Sequence, residues 1–123
     1  MEIIVHRGAN KNAPENTRAS AEACIALGMD FAKIDVRLSK DGIPFILHDP
    51  SVDRTTNGSG NISDLTSEQI DLLDAGSWFD FKFAGEKIPR LDTYFRWIKG
   101  KCKVFLDRKD PLFKGKELKK WPV

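Results

Sequence analysis

Four short apolar runs, each bounded by turn residues, constrain most strongly what this chain can fold into. Each run is brief and rich in Ile, Val, Phe or Leu, which is typical of buried strands. A helix is expected between the first two runs, capped by Asn16 or Thr17 and stopped at Gly28. The order strand, helix, strand favours parallel pairing through a right-handed crossover, and therefore an α/β fold. The predicted strands are Glu2–His6, Phe31–Val36, Pro44–His48 and Lys103–Asp107.

The stretch from residue 50 to about residue 89 is too long for a simple connection, since most loops in compact domains have about 4–6 residues. Its first part, Asp53–Asn61, is rich in turn residues and predicts a loop. A short helix capped by Thr66 or Ser67 should follow, with Leu72 among the leucines available for burial. The aromatic residues between Trp78 and Phe83 should cover apolar surface. We interpret residues 50–89 as a loop-helix insertion, followed by a helix at Leu91–Lys99.

Each predicted strand carries a histidine or an aspartate near its end. Side chains two positions apart on a strand point to the same face, so each of these residues shares its face with the residue two positions earlier. The opposite face of each strand is apolar and suits packing under helices. Parallel α/β barrels assemble their active sites at the carboxyl ends of their strands. Four such residues in equivalent places therefore predict a site. The pairs that share this face are Ile4 with His6, Lys33 with Asp35, Ile46 with His48, and Phe105 with Asp107.

The residue types at these strand ends suit phosphoryl chemistry. A histidine can take up and release protons near neutral pH, because its unperturbed pKa is about 6.5. Aspartate oxygens suit Mg²⁺ or Ca²⁺, and cationic side chains can hold phosphate oxygens. The spacing leaves open whether the site uses a metal. The neighbouring cations are Arg7, Arg37, Lys40, Arg108 and Lys109.

Successive short motifs in this sequence resemble those of the glycerophosphodiester phosphodiesterase family. Each motif is weak alone, but their order along about residues 3–109 makes the resemblance specific. The motifs are His6-Arg7-Gly8, Pro14-Glu15-Asn16-Thr17, Ile34-Asp35-Val36-Arg37-Leu38-Ser39-Lys40-Asp41-Gly42, His48-Asp49, Asp53-Arg54-Thr55-Thr56-Asn57-Gly58, Gly76-Ser77-Trp78-Phe79, Gly85-Glu86-Lys87-Ile88-Pro89 and Leu91.

The resemblance implies a TIM-type (β/α)8 barrel that hydrolyses glycerophosphodiesters to glycerol 3-phosphate and an alcohol, with Ca²⁺ or Mg²⁺ as cofactor. It places His6 and His48 on the acid–base pair and Arg7 on a phosphate contact. Asp35 falls on a metal-ligand position. Asp107 and Lys109 align with a metal ligand and a phosphate-binding lysine, a pair that is normally Glu-x-Lys in the family.

Lys33 departs from the family pattern, which has a glutamate as a second metal ligand two residues before Asp35. An ammonium group cannot coordinate a metal, but it can take roughly the place of one and pair with Asp35 and Asp107. We expect metal affinity to be weakened or lost, and Lys33 to contact the substrate phosphate instead.

Charge and composition exclude several other classes. No apolar run approaches the roughly 20 residues of a membrane span, and the first residues do not form a signal peptide. With two distant cysteines, Cys24 and Cys102, the sequence predicts reduced, buried thiols in a cytoplasmic protein. Residues 99–123 hold nine basic residues against three acidic ones, which we interpret as a solvated face rather than a nucleic-acid site.

The length of 123 residues is too short for a complete eight-stranded barrel, which takes about 250 residues. We predict the N-terminal part of such a barrel over residues 1–110, with about four parallel strands, and a basic tail over residues 111–123. Its open sheet edges should lead the chain to self-associate. Three interpretations remain: a phosphodiesterase, a non-catalytic relative that binds phosphate or head groups, and an inactive fragment.

Overall fold

The computed structural model describes residues 4–6, 12–28, 31–101 and 103–108, with the backbone alone for residues 4–6, 31–33 and 103–108. Strands and helices alternate in the first and last parts of the described residues, and an irregular segment with two 3₁₀ turns and a short helix lies between. The elements are β1 (Ile4–His6), α1 (Arg18–Ala26), β2 (Phe31–Leu38), β3 (Pro44–Ile46), a 3₁₀ turn (Ile62–Asp64), α2 (Ser67–Asp71), a second 3₁₀ turn (Phe81–Phe83), α3 (Leu91–Ile98) and β4 (Lys103–Arg108). No helix in this part of the chain is long and apolar enough to cross a membrane.

The four described strands form one sheet around β2. β1 and β4 both run parallel to β2, as predicted, and α1 makes the crossover from β1 to β2. β3 runs antiparallel to β2, so the prediction of four parallel strands is wrong for this strand. The connection over residues 39–43 is too short for a parallel crossover, which needs a dozen or more residues. Gly42 has the left-handed φ of 79° that lets this tight connection close.

The first helix begins and ends where its sequence signals predict. Thr17 is the N-cap, because its side chain accepts a hydrogen bond from the Ser20 backbone N–H and Ser20 reciprocates. Gly28 follows the C-cap with a φ of 72°, a conformation that glycine adopts without strain. Cys24 on this helix is buried, as predicted. Cys102 lies outside the described residues.

The main core lies between the sheet and two helices. Ile34 and Val36 of β2 are fully buried there, as predicted for the apolar face of this strand. Ile46 is buried in the same core, so the prediction that it lies on the opposite face, away from the helices, is wrong. Its register partner is Val36, and directly opposed residues of an antiparallel pair point to the same face. The helices contribute Ala21, Leu91, Tyr94, Phe95 and Ile98 to this core.

A second core lies beneath the irregular segment. Phe45 and Leu47 pack there and not under the helices, because the register that pairs Ile46 with Val36 turns their side chains to the other face of the sheet. Leu72 and Phe81 are 80% and 83% exposed, which contradicts the expected covering role. Instead, Trp78 and Phe83 each pack edge-on against Phe79. The remaining members of this core are Val52, Ile62, Ile70, Ala75 and Ile88.

Asp74 holds the loops at residues 74–86 together. One oxygen accepts hydrogen bonds from the backbone N–H groups of Gly76 and Ser77, and the other accepts from the Ser77 hydroxyl and the Gly85 N–H. These bonds, led by the one from the Ser77 hydroxyl, hold the pKa of the Asp74 carboxyl well below its usual range. Gly76 consequently lies so close to Phe83 that an added Cβ would overlap the Phe83 carbonyl oxygen.

We expect Gly76→Ala to lower the free energy of unfolding by about 1–3 kcal/mol, because rigid backbone would have to move to admit one methyl group. Gly58→Ala is the matched control. Its Cβ would meet only atoms of the Leu73 side chain, with Cδ2 at 2.6 Å and Cδ1 at 3.3 Å, and because this side chain can rotate we expect a smaller loss. Urea unfolding of both variants measures the difference, and equal losses would contradict this account of the loop.

Candidate functional site

Asp35 is a carboxylate in the middle of the sheet. Its residue is 1% exposed on β2, and its Oδ2 accepts a hydrogen bond of 3.3 Å from the Asn16 side-chain amide. Asn16 itself is buried and has a φ of 58°, a left-handed conformation that asparagine tolerates better than most residues. The turn before α1 therefore directs a polar side chain onto the carboxylate. The sequence pattern predicted Asp35 as a site residue and treated Asn16 only as a candidate helix cap.

The antiparallel hairpin brings His48 to the level of Asp35. β3 runs back along β2, and the Leu47 N–H donates a 3.0 Å hydrogen bond to the Asp35 carbonyl. The Arg37 guanidinium then fixes the next residue, because its Nε and Nη2 donate to the His48 carbonyl at 2.9 and 2.7 Å. His48 lies beyond the end of the strand, where the backbone bond of Leu47 and the side-chain bonds of Arg37 define its position.

A carboxylate and an arginine hold the His48 imidazole. The Nδ1 atom of His48 lies 2.8 Å from Oδ1 of Asp49. Arg54 donates to the two Asp49 oxygens at 2.9 Å from Nε and 3.1 Å from Nη2. The same guanidinium donates to both oxygens of Glu15 at 3.0 Å. His48 therefore stands at the end of a chain of charge-assisted hydrogen bonds.

These contacts decide which groups are ionised. The bonds from Arg54, with a smaller contribution from His48, hold the pKa of the Asp49 carboxyl well below its usual range, although partial burial opposes the shift. Asp49 and Glu15 in turn raise the pKa of the Arg54 guanidinium. An ionised carboxylate only accepts hydrogen bonds, so Nδ1 of His48 carries the proton. The Nε2 atom is then the nitrogen available for proton transfer.

The other predicted site residues are placed by the backbone or lie outside the described residues. Asp107 of β4 is the register partner of Asp35, and Lys33 pairs in register with both His6 and Phe105. The parallel strands therefore bring the predicted strand-end positions to neighbouring rows of the sheet. Arg7 and Lys109 fall outside the ranges that the structure describes.

Four residues of this constellation were not predicted as site residues: Glu15, Asn16, Asp49 and Arg54. An aspartate directly after a candidate acid–base histidine was an available signal for Asp49, because carboxylates commonly orient imidazoles. Arg54 gave no such signal, since it stands in a turn-rich motif to which neither the residue pattern nor the resemblance assigned a site role. Its contact with Glu15 joins residues 39 positions apart.

The described side chains do not supply a divalent-cation site. They contain no group of three or more His, Cys, Asp or Glu residues that could hold a metal ion. Asp35 offers carboxylate oxygens, one of which already accepts a hydrogen bond from Asn16. The residue two positions earlier on the strand is Lys33, whose ammonium group has no lone pair to donate. Among the described side chains, this donor set does not fit a calcium or magnesium ion.

The fold and the site define an α/β domain with parallel strands, a buried strand carboxylate and a carboxylate-held histidine at the same level of the sheet. A model of the glycerophosphoryl diester phosphodiesterase family matches residues 6–118. The chain therefore belongs to this family of phosphoric diester hydrolases, and the family assignment made from the motifs is confirmed.

Individual relatives agree with this assignment. A glycerophosphodiester phosphodiesterase of Caldanaerobacter subterraneus is 51% identical over 96 residues, which cover 78% of this chain and 40% of the relative. The crystal structure of a glycerophosphodiester phosphodiesterase from Agrobacterium tumefaciens has a TM-score of 0.86 and 45% identity, and the match covers 88% of this chain and 47% of that one. The structure of an Oleispira antarctica phosphodiesterase in complex with the product sn-glycerol-3-phosphate has a TM-score of 0.89 and 36% identity. This match covers 99% of this chain and 53% of that one.

The chain spans less than half the length of the curated relatives it matches. A second relative, a putative glycerophosphodiester phosphodiesterase of Bacillus subtilis, is 43% identical over 89% of this chain but only 45% of its own length. The shared family therefore establishes the ancestry of this chain.

Proposed function

We propose that this chain carries the acid–base part of a phosphodiesterase that hydrolyses glycerophosphodiesters to glycerol 3-phosphate and an alcohol. The observation that carries the proposal is the His48 imidazole, held through Nδ1 by an ionised Asp49 at the level of the buried Asp35. Such a histidine can exchange protons through Nε2. The similarity to an enzyme crystallised with sn-glycerol-3-phosphate supports the choice of substrate class.

In this proposal, two histidines divide the proton transfers. His6 removes a proton from the attacking water as its oxygen bonds to phosphorus. His48 has first taken up a second proton on Nε2, and this imidazolium gives the Nε2 proton to the alcohol oxygen as the phosphorus–oxygen bond breaks, which returns His48 to its neutral, Nδ1-protonated form. Arg7, Lys33 and Lys109 neutralise the phosphate oxygens. His6 lies in register with Lys33 on the adjacent parallel strand, which supports a shared site for a base and a phosphate contact.

We also propose that Lys33 replaces a divalent cation in this chain. The family resemblance implies metal ligands at Asp35 and Asp107, which occupy opposed register positions, but a fixed positive charge two residues before Asp35 opposes cation binding. The lysine would then supply the positive charge that the phosphate needs. A non-catalytic relative that binds phosphate is the alternative that Lys33 favours.

The first test is hydrolysis of glycerophosphocholine by the chain, with and without Ca²⁺ or Mg²⁺. We expect release of glycerol 3-phosphate, and a loss of about 10²–10⁴-fold in His48→Ala, because the leaving alcohol would lose its proton donor. Asp64→Asn, at an exposed position of the first 3₁₀ turn, is the control and should retain the rate. Phosphate binding without turnover would support the non-catalytic alternative instead.

The second test is metal binding measured by calorimetry. We expect the chain to bind Ca²⁺ and Mg²⁺ no more tightly than about millimolar, and Lys33→Glu to strengthen binding at least about tenfold, since it exchanges a cation for an oxygen ligand. Lys82→Glu makes the same charge change at an exposed residue and should have little effect. Micromolar affinity of the unaltered chain would contradict the proposed role of Lys33.

We further propose that the chain self-associates through its sheet edges. Within the described strands, β1 and β4 each pair with β2 alone, and unpaired strand edges favour pairing with another chain. Light scattering should therefore give a mass of at least two chains at micromolar concentration. A monodisperse monomer that melts cooperatively would contradict this expectation.

A further inference from the structure

A continuous path of hydrogen bonds and adjacent residues joins the proposed acid–base histidine to the buried strand carboxylate. Arg54 lies at its centre and bonds two carboxylates, one from the loop after β3 and one from the turn before α1. The Glu15 side chain is only 8% exposed, so the guanidinium meets a largely desolvated partner. The path runs through His48, Asp49, Arg54, Glu15, Asn16 and Asp35, in which Glu15 and Asn16 are consecutive residues and every other step is a hydrogen bond.

We propose that Arg54 is a positioning residue that acts through Asp49 to keep the proton of neutral His48 on Nδ1. The inference deepens the proposed function, because it matters for catalysis only if His48 transfers protons there. Arg54 does not contact the imidazole itself. It fixes both Asp49 oxygens, and the carboxylate then has one orientation in which it accepts from Nδ1.

The chemistry of the guanidinium explains why an arginine stands at this position. Its planar fork presents five N–H donors, and here four donor–acceptor contacts serve two carboxylates at once. A lysine at position 54 would keep the charge but offers a single ammonium that cannot match both carboxylates in this geometry. Arg54 therefore ties the loop that carries His48 to the turn that carries Asn16, the residue that contacts Asp35.

Nitrogen NMR of the imidazoles tests this without requiring activity. The chain contains two histidines, so ¹⁵N-histidine labelling gives two imidazole signals, and His6→Gln assigns that of His48. At about pH 8, above the ordinary imidazole pKa of about 6.5, we expect His48 to hold its proton on Nδ1 only. Arg54→Gln should convert this signal to a mixture of both tautomers, because the freed carboxylate can turn toward water.

Two further variants complete the design. Arg90→Gln breaks another half-exposed arginine–aspartate pair, with Asp71 at 2.6 Å, and should leave the His48 signal unchanged. Arg54→Lys keeps the charge and should also give mixed tautomers, and it carries the test if Arg54→Gln does not fold. If His48 keeps its proton on Nδ1 alone in a folded Arg54 variant, the proposal is overturned. An equal change of the His48 signal in Arg90→Gln would also overturn it.

The activity readout separates this inference from the proposed function. If the chain hydrolyses glycerophosphocholine, Arg54→Gln should lower kcat by about 10–100-fold, as loss of an outer partner of an active-site group commonly does, with KM changed by less than about twofold. A chain that folds but does not hydrolyse the diester would contradict the proposed function. The tautomer of His48 would still decide whether Arg54 positions it.

Discussion

The hydrogen bond from the Leu47 N–H to the Asp35 carbonyl is the contact on which the arrangement of the site depends. It exists because the chain reverses over residues 39–43 and β3 returns antiparallel along β2. The reversal places His48 one residue beyond this bond, where Arg37 can hold its carbonyl. It also turns Ile46 into the helix-packed core and Phe45 into the second core. A single tight turn therefore sets both the hydrophobic packing and the position of the proposed proton donor.

Ionised carboxylates with several hydrogen-bond donors organise the long irregular segment. Asp41 accepts from Ser39 and Ser67 and thereby joins the hairpin to the start of α2, and these bonds lower its pKa to about 2. Asp74 and Asp49 act in the same way in their own loops. Glu86 extends the pattern, because its side chain accepts from the Ala19 N–H at the first turn of α1. Backbone donors that a loop would leave unpaired are satisfied by these side chains.

Local signals predicted the regular elements well and the packing between them less well. Thr17 and Thr66 cap helices where the sequence indicated, because a cap depends on residues three positions apart. The period of β2 correctly buried Ile34 and Val36. The same period misplaced Ile46, because the face that a residue occupies depends on the register in which its strand pairs, and Ile46 pairs with the core residue Val36. Leu72 and Phe81 were expected to cover apolar surface, yet the loops turn them outward.

The sequence by itself determined the family, the helix caps, the strand positions and the candidate residues Asp35 and His48, because these follow from short motifs and local periodicity. Only the tertiary structure decided that β3 is antiparallel and that Arg54 links Asp49 to Glu15. The physical reason is separation along the chain. Glu15 and Arg54 are 39 residues apart, and no local pattern records that two distant loops will bring a guanidinium between two carboxylates.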